Sequence, residues 1–118
     1  MGLDQYAFIR KNENQPYHED DEIAYWRKHN ALQGWMENLW KDKGNLGTFN
    51  RVDIVLTKKD LDRLEQDLNS DSLPQTDGFF YGGDSRFDEH QKTKSLQFIV
   101  NARQAMEKGL EVVYCSCW

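Results

Sequence analysis

Apolar residues change their spacing several times along this chain, and the changes predict its elements. Leu3-Asp4-Gln5-Tyr6-Ala7-Phe8-Ile9-Arg10 is rich in strand formers with a rough two-residue alternation, which predicts a strand over 3–10. Residues 11–22 are polar, with Pro16 and the acidic run Glu19-Asp20-Asp21-Glu22. They read as a loop feeding a helix, whose positive dipole end favours carboxylates. The next apolar positions are 23, 26, 31, 35, 36, 39 and 40, which fit a helical face better than a strand. A helix is therefore expected across 23–41, ending near Gly44.

Val52, Ile54 and Leu56 share one side of a strand over 51–56. Thr57 with Asp60 three residues later approximates a capping box, and Leu61, Leu64 and Leu68 form the stripe of a helix over 58–69. Residues 69–78 have loop composition, and Phe79-Phe80-Tyr81 between glycines predicts a short aromatic strand. Leu96, Ile99, Val100, Arg103 and Met106 align on a helix over 86–108, with Gly109 as its stop, and 110–118 reads as a last strand. The order predicts an α+β fold: one domain over 1–118, a small mixed β-sheet covered on one face by about three helices.

Size and composition fit that expectation. A 14.0 kDa chain folds from about 20,000 Å² of exposed surface to about 6,700 Å², enough for one modest core. With 38% hydrophobic and 13% aromatic residues, much of that core must come from Phe, Tyr and Trp. No apolar run approaches the ~20 residues of a membrane span, and no apolar leader follows the N-terminus, so the expectation is an unexported, non-membrane protein. The net charge of −5 argues against extended wrapping of nucleic acid, though a local basic pocket remains compatible with it. Cys115 and Cys117 stand two apart on a predicted strand, too far apart for an unstrained disulfide, and read as reduced thiols of a cytosolic protein.

Two segments carry candidate chemistry. Tyr25-Trp26-Arg27-Lys28-His29-Asn30, with Trp35, combines ring planes, cations and an amide, as needed to stack on a flat ring and hold an anion. Thr76-Asp77-Gly78-Phe79-Phe80-Tyr81-Gly82-Gly83 places glycines where backbone could approach a ligand closely. Each also has a plainer reading: Trp26 and Trp35 as core beside solvated cations, and 79–81 as a core-filling strand. No phosphate-loop motif is present, and His18, His29 and His90 form no zinc pattern. No metal site, cofactor or catalytic residue is expected.

The start Met1-Gly2-Leu3-Asp4, the block Glu22-Ile23-Ala24-Tyr25-Trp26-Arg27-Lys28-x-Asn30 with Trp35, the turn Leu73-Pro74-x-Thr76-x-Gly78-Phe79-Phe80-Tyr81-Gly82, and an aromatic-ended last strand recur in this order. In these segments the chain resembles a family of small, mostly uncharacterised bacteriophage and prophage accessory proteins. It departs from the family pattern at Cys115-Ser116-Cys117. The resemblance implies a counter-defence factor in the cytoplasm of an infected bacterium, a class that usually works by binding.

Three functions follow as expectations. The first is sequestration of a small anionic, nucleotide-like ligand or immune signal by Tyr25, Trp26, Arg27, Lys28, Asn30 and Trp35 facing Thr76, Gly78, Phe79, Phe80, Tyr81 and Gly82. The second is a protein-binding inhibitor of a host defence enzyme, of anti-CRISPR type, using the acidic surface against a basic partner. The third is a nucleotide-processing enzyme. A homodimer is expected, formed where the first, the last or the 79–81 strand lies at a sheet edge.

Overall fold

The first and last strands pair with each other along their whole length. In the computed structural model, which describes residues 3–16, 18–74 and 88–118, β1 (Asp4–Arg10) runs antiparallel to β4 (Glu111–Cys117), from Asp4 opposite Cys117 to Arg10 opposite Glu111. β2 (Glu22–Arg27) pairs with the free side of β1, and β3 (Asp53–Leu56) with the free side of β4, giving the order β2-β1-β4-β3. Three helices complete the α+β fold: α1 (Asn30–Asp42), α2 (Lys58–Asn69) and α3 (Glu89–Glu107).

Two expectations differ from the structure. All three strand pairings are antiparallel, so the sheet described is not mixed. The first and last strands, β1 and β4, are the two central ones, which leaves β2 and β3 as the edges; any edge pairing between copies within the described residues would use one of these. The expected strand over 79–81 lies outside the described residues.

The largest correction concerns 22–27, expected as loop and helix but forming β2. Ala24 pairs with Ala7, and Trp26 with Gln5, on one face of the sheet; Tyr25 and Arg27 fall on the other. A bulge between Ala7 and Phe8 sets Phe8 opposite Glu22 and makes Ile23 the extra residue. The break between strand and helix is at Lys28, whose φ of 60° turns the chain sharply while its N–H donates to the Leu3 carbonyl at 2.9 Å. The apolar period seen across 23–41 therefore belongs to two elements that bury their side chains in the same core.

That core lies between the helices and one face of the sheet. Ala7, Trp26, Ile54, Leu56, Val112 and Tyr114 supply the sheet side. Leu32, Trp35, Met36 and Leu39 of α1, Leu61, Leu64 and Leu68 of α2, and Phe98, Ile99 and Ala102 of α3 supply the other. Aromatic rings fill much of it, as composition required: Trp26 meets Phe98 edge-on at 5.2 Å, and Phe49 stacks on Tyr114 at 6.3 Å. The capping box at Thr57 and Asp60 is present, and α2 starts and ends where the sequence placed it.

Candidate binding surface

The alternation of β2 divides the Tyr25–Asn30 block between two environments. Trp26 is fully buried, and its indole N–H donates to Ser95 Oγ at 3.1 Å. Trp35 is nearly as buried, with its indole N–H on Asp67 Oδ2 at 2.8 Å. Asn30 is buried at the start of α1. These three belong to the core, so Trp26 and Trp35 offer no open ring face for a ligand to stack on. Tyr25, Arg27 and Lys28 are exposed. Thr76, Gly78, Phe79, Phe80, Tyr81 and Gly82 lie outside the described residues.

The helix-free face of the sheet carries a different constellation. Tyr6 stands opposite Tyr25 on one side and Cys115 on the other, and Cys115 stands opposite Asp53, so one row crosses all four strands. The Tyr6 and Tyr25 rings are tilted at 5.3 Å. Tyr25 donates its hydroxyl hydrogen to Asp4 Oδ1 at 2.6 Å, and this bond to a carboxylate pushes the phenol up to about 12. Burial first, then the charge of Asp4, also raises Tyr6. Arg27 Nε approaches Asp4 Oδ1 at 3.8 Å, so Asp4 gathers the exposed part of the block around one carboxylate.

Beside this row the chain after β1 folds back, and its short 3-10 turn (Glu19–Asp21) packs against β1. His18 caps that turn, its Nδ1 accepting from the Asp20 N–H at 3.1 Å. Between turn and sheet runs a groove of about 770 Å³ lined by Tyr6, Phe8, Glu19, Asp20, Glu22, Asp53 and Cys115. Its floor is aromatic and four of its seven lining residues are carboxylates. Arg10 lies 3.9 Å from Asp53 but gives its shorter contact, 2.8 Å, to Glu111. Glu19 and Glu22 form no ion pair among the described residues.

Ring faces beside carboxylates suit a cation: a guanidinium or ammonium can lie over a ring while the carboxylates accept its hydrogen bonds. An anion would meet repulsion there. Cys115 adds a weakly polar wall, its thiol pushed up to about 12 by burial and then by Asp53, and so neutral at ordinary pH. Among the described residues no cluster of His, Cys, Asp and Glu is arranged to hold a metal ion, and no helix is long and apolar enough to cross a membrane.

This groove is not legible in the sequence, because its residues come from β1, the 3-10 turn, β2, β3 and β4. The available signal was the outward register of the two central strands, where Tyr6, Phe8 and Cys115 stand at positions that a fully solvated sheet face would fill with polar groups. No family model matches the chain, and no curated protein or solved structure shows significant similarity to it.

Proposed function

We propose that this chain is a phage accessory protein that works in counter-defence by binding, its acidic, aromatic-floored groove receiving a basic segment of a host defence protein in the bacterial cytoplasm. The phage context rests on the resemblance of its motifs. The partner's charge rests on one observation: Glu19, Asp20, Glu22 and Asp53 converge on Tyr6 and Phe8 in a single groove on the helix-free sheet face. A net charge of −5 extends the same preference to longer range, where it steers approach of a basic partner.

The test is calorimetry with a blocked octapeptide of Lys, Arg and Leu. Binding should weaken as salt rises from about 50 to about 500 mM, because exposed charges more than a few ångströms apart are then screened. Glu19→Lys with Asp20→Lys should weaken it further. Equal affinity in the wild type and this variant overturns the groove as the docking site.

Sequestration of a small anionic, nucleotide-like ligand is the second reading, favoured by the adjacent exposed Arg27 and Lys28 beside the partly exposed ring of Tyr25. A nucleotide at 100 times its Kd would stabilise the protein by about 2.7 kcal/mol, so a thermal-shift panel of nucleotides, dinucleotides and cyclic nucleotides separates the two. A shift abolished by Arg27→Ala would select the second reading.

A further inference from the structure

β2 is an edge strand with a helix running beside its free side. The Lys28 N–H bond to the Leu3 carbonyl sets the ladder so that Trp26 and Ala24 face β1, and the outward N–H and C=O of Tyr25 and N–H of Arg27 hydrogen-bond to nothing else among the described residues. The bulge at Ile23 marks where the straight run begins, so the edge on offer is 24–27. At its far end a side chain already stands in for a strand partner: Gln91 Nε2 donates to the Arg27 carbonyl at 3.3 Å. Gln91 Oε1 is buried with no hydrogen-bond partner, an acceptor beside the same edge.

Across from the edge, His90, Thr93, Lys94, Gln97 and Asn101 follow the three- and four-residue spacing of one helical face. Together with Ile23, Ala24, Tyr25 and the buried Phe98 they enclose a groove of about 440 Å³. This groove differs from the acidic one in charge as well as place. No carboxylate lines it, and Lys94 forms no ion pair among the described residues. An open strand edge facing a helix supplies main-chain hydrogen bonds on one wall and side-chain selectivity on the other.

We propose that this groove takes an extended peptide segment of acidic character, which adds to β2 as a fifth strand and sets a carboxylate against Lys94. The main chain of the segment supplies the hydrogen bonds that the edge lacks; its alternate side chains lie towards α3 or towards Tyr25. This site is independent of the groove on the sheet face, and a partner could occupy either one alone.

The experiment titrates the 15N-labelled protein with blocked hexapeptides of Val and Thr carrying Glu at each position in turn, and with the same set carrying Lys. Amide shifts at 23–27 and 90–101 are expected with the Glu set, and the best Glu peptide should bind about fivefold more tightly than its Lys counterpart. Lys94→Glu, at a half-buried position, should reverse that preference. N-methylation of alternate peptide residues should weaken binding about tenfold in one phase of the alternation and little in the other. Glu19→Lys with Asp20→Lys should leave these shifts in place, which separates this site from the sheet-face groove. Absence of shifts at millimolar peptide, indifference to N-methylation, or a dimer that buries residues 23–27 would each overturn the proposal.

Discussion

The side chain of Gln5 bonds both backbone polar groups of His29, donating from Nε2 to the carbonyl at 3.0 Å and accepting the N–H on Oε1 at 2.8 Å. A buried amide thus clamps the turn between β2 and α1 onto the central strand. The same Nε2 donates to Tyr114 Oη at 2.9 Å, and Tyr114 donates onward to Gln33 Oε1 at 2.6 Å. A polar chain therefore crosses the core, and the loss of one member strips bonds from groups that water cannot reach.

Gln5→Leu keeps most of the volume and removes all three of these bonds. The expected loss is about 3 kcal/mol, since buried backbone groups lose hydrogen bonds that solvent does not replace. Urea denaturation measures it. A loss below about 1 kcal/mol would mean that the clamp contributes little to stability.

Burial holds the His29 imidazole down at about 4, only partly opposed by the charge of Asp88. In the unfolded chain the group titrates near 6.5. Above that pH neither state binds the proton and His29 contributes no pH dependence. Between about 6.5 and 4 the unfolded chain takes up a proton that the folded one refuses, so stability falls with pH, by about 3 kcal/mol in total. NMR of the imidazole C–H signals should show His29 still neutral at pH 5.5. Titration between 6 and 7 would contradict this.

The α2 cap is reciprocal: Thr57 Oγ1 accepts from the Asp60 N–H at 3.1 Å and Asp60 Oδ2 accepts from the Thr57 N–H at 2.9 Å. Lys43 Nζ lies 3.0 Å from the same carboxylate. Burial alone would raise the Asp60 carboxyl, but the Thr57 bonds and Lys43 outweigh it and hold the group below its ordinary value. Thr57→Ala should cost about 1 kcal/mol. Asp60→Asn should cost more near neutrality than in acid, because the stability from a depressed carboxyl is lost as pH falls through the folded value. Paired denaturation curves at pH 7 and pH 3 test the difference.

Cys115 and Cys117 are both free and share the helix-free face. With its thiol held up to about 12, Cys115 should react with iodoacetamide at pH 7.5 at well under a tenth of the rate of a free thiol of ordinary pKa. Cys115→Ser with Cys117→Ser should fold as the wild type does. Mass spectrometry following alkylation reports the first expectation; rapid labelling of Cys115 would refute it.

Where local chemistry agreed with tertiary demand, the sequence alone was sufficient. Thr57 and Asp60 set the start of α2, and Leu61, Leu64 and Leu68 gave it a single apolar stripe, so its bounds of 58–69 could be read directly. The strand-forming runs of β1 and β4, and the Gly109 stop after α3, were legible for the same reason. Residues 22–27 were not: Ile23 and Trp26 fit a helical period continuing into α1, and only the edge offered by β1 made extended backbone the better choice. That single choice moved Trp26 into the core and Tyr25 and Arg27 to the opposite face. The candidate surface was undetermined for a related reason, since Tyr6, Glu19, Asp53 and Cys115 are far apart in the chain and meet only through strand register and the fold-back of the 3-10 turn. Periodicity fixes which side of an element is apolar; which elements become neighbours is decided by the packing of the whole core.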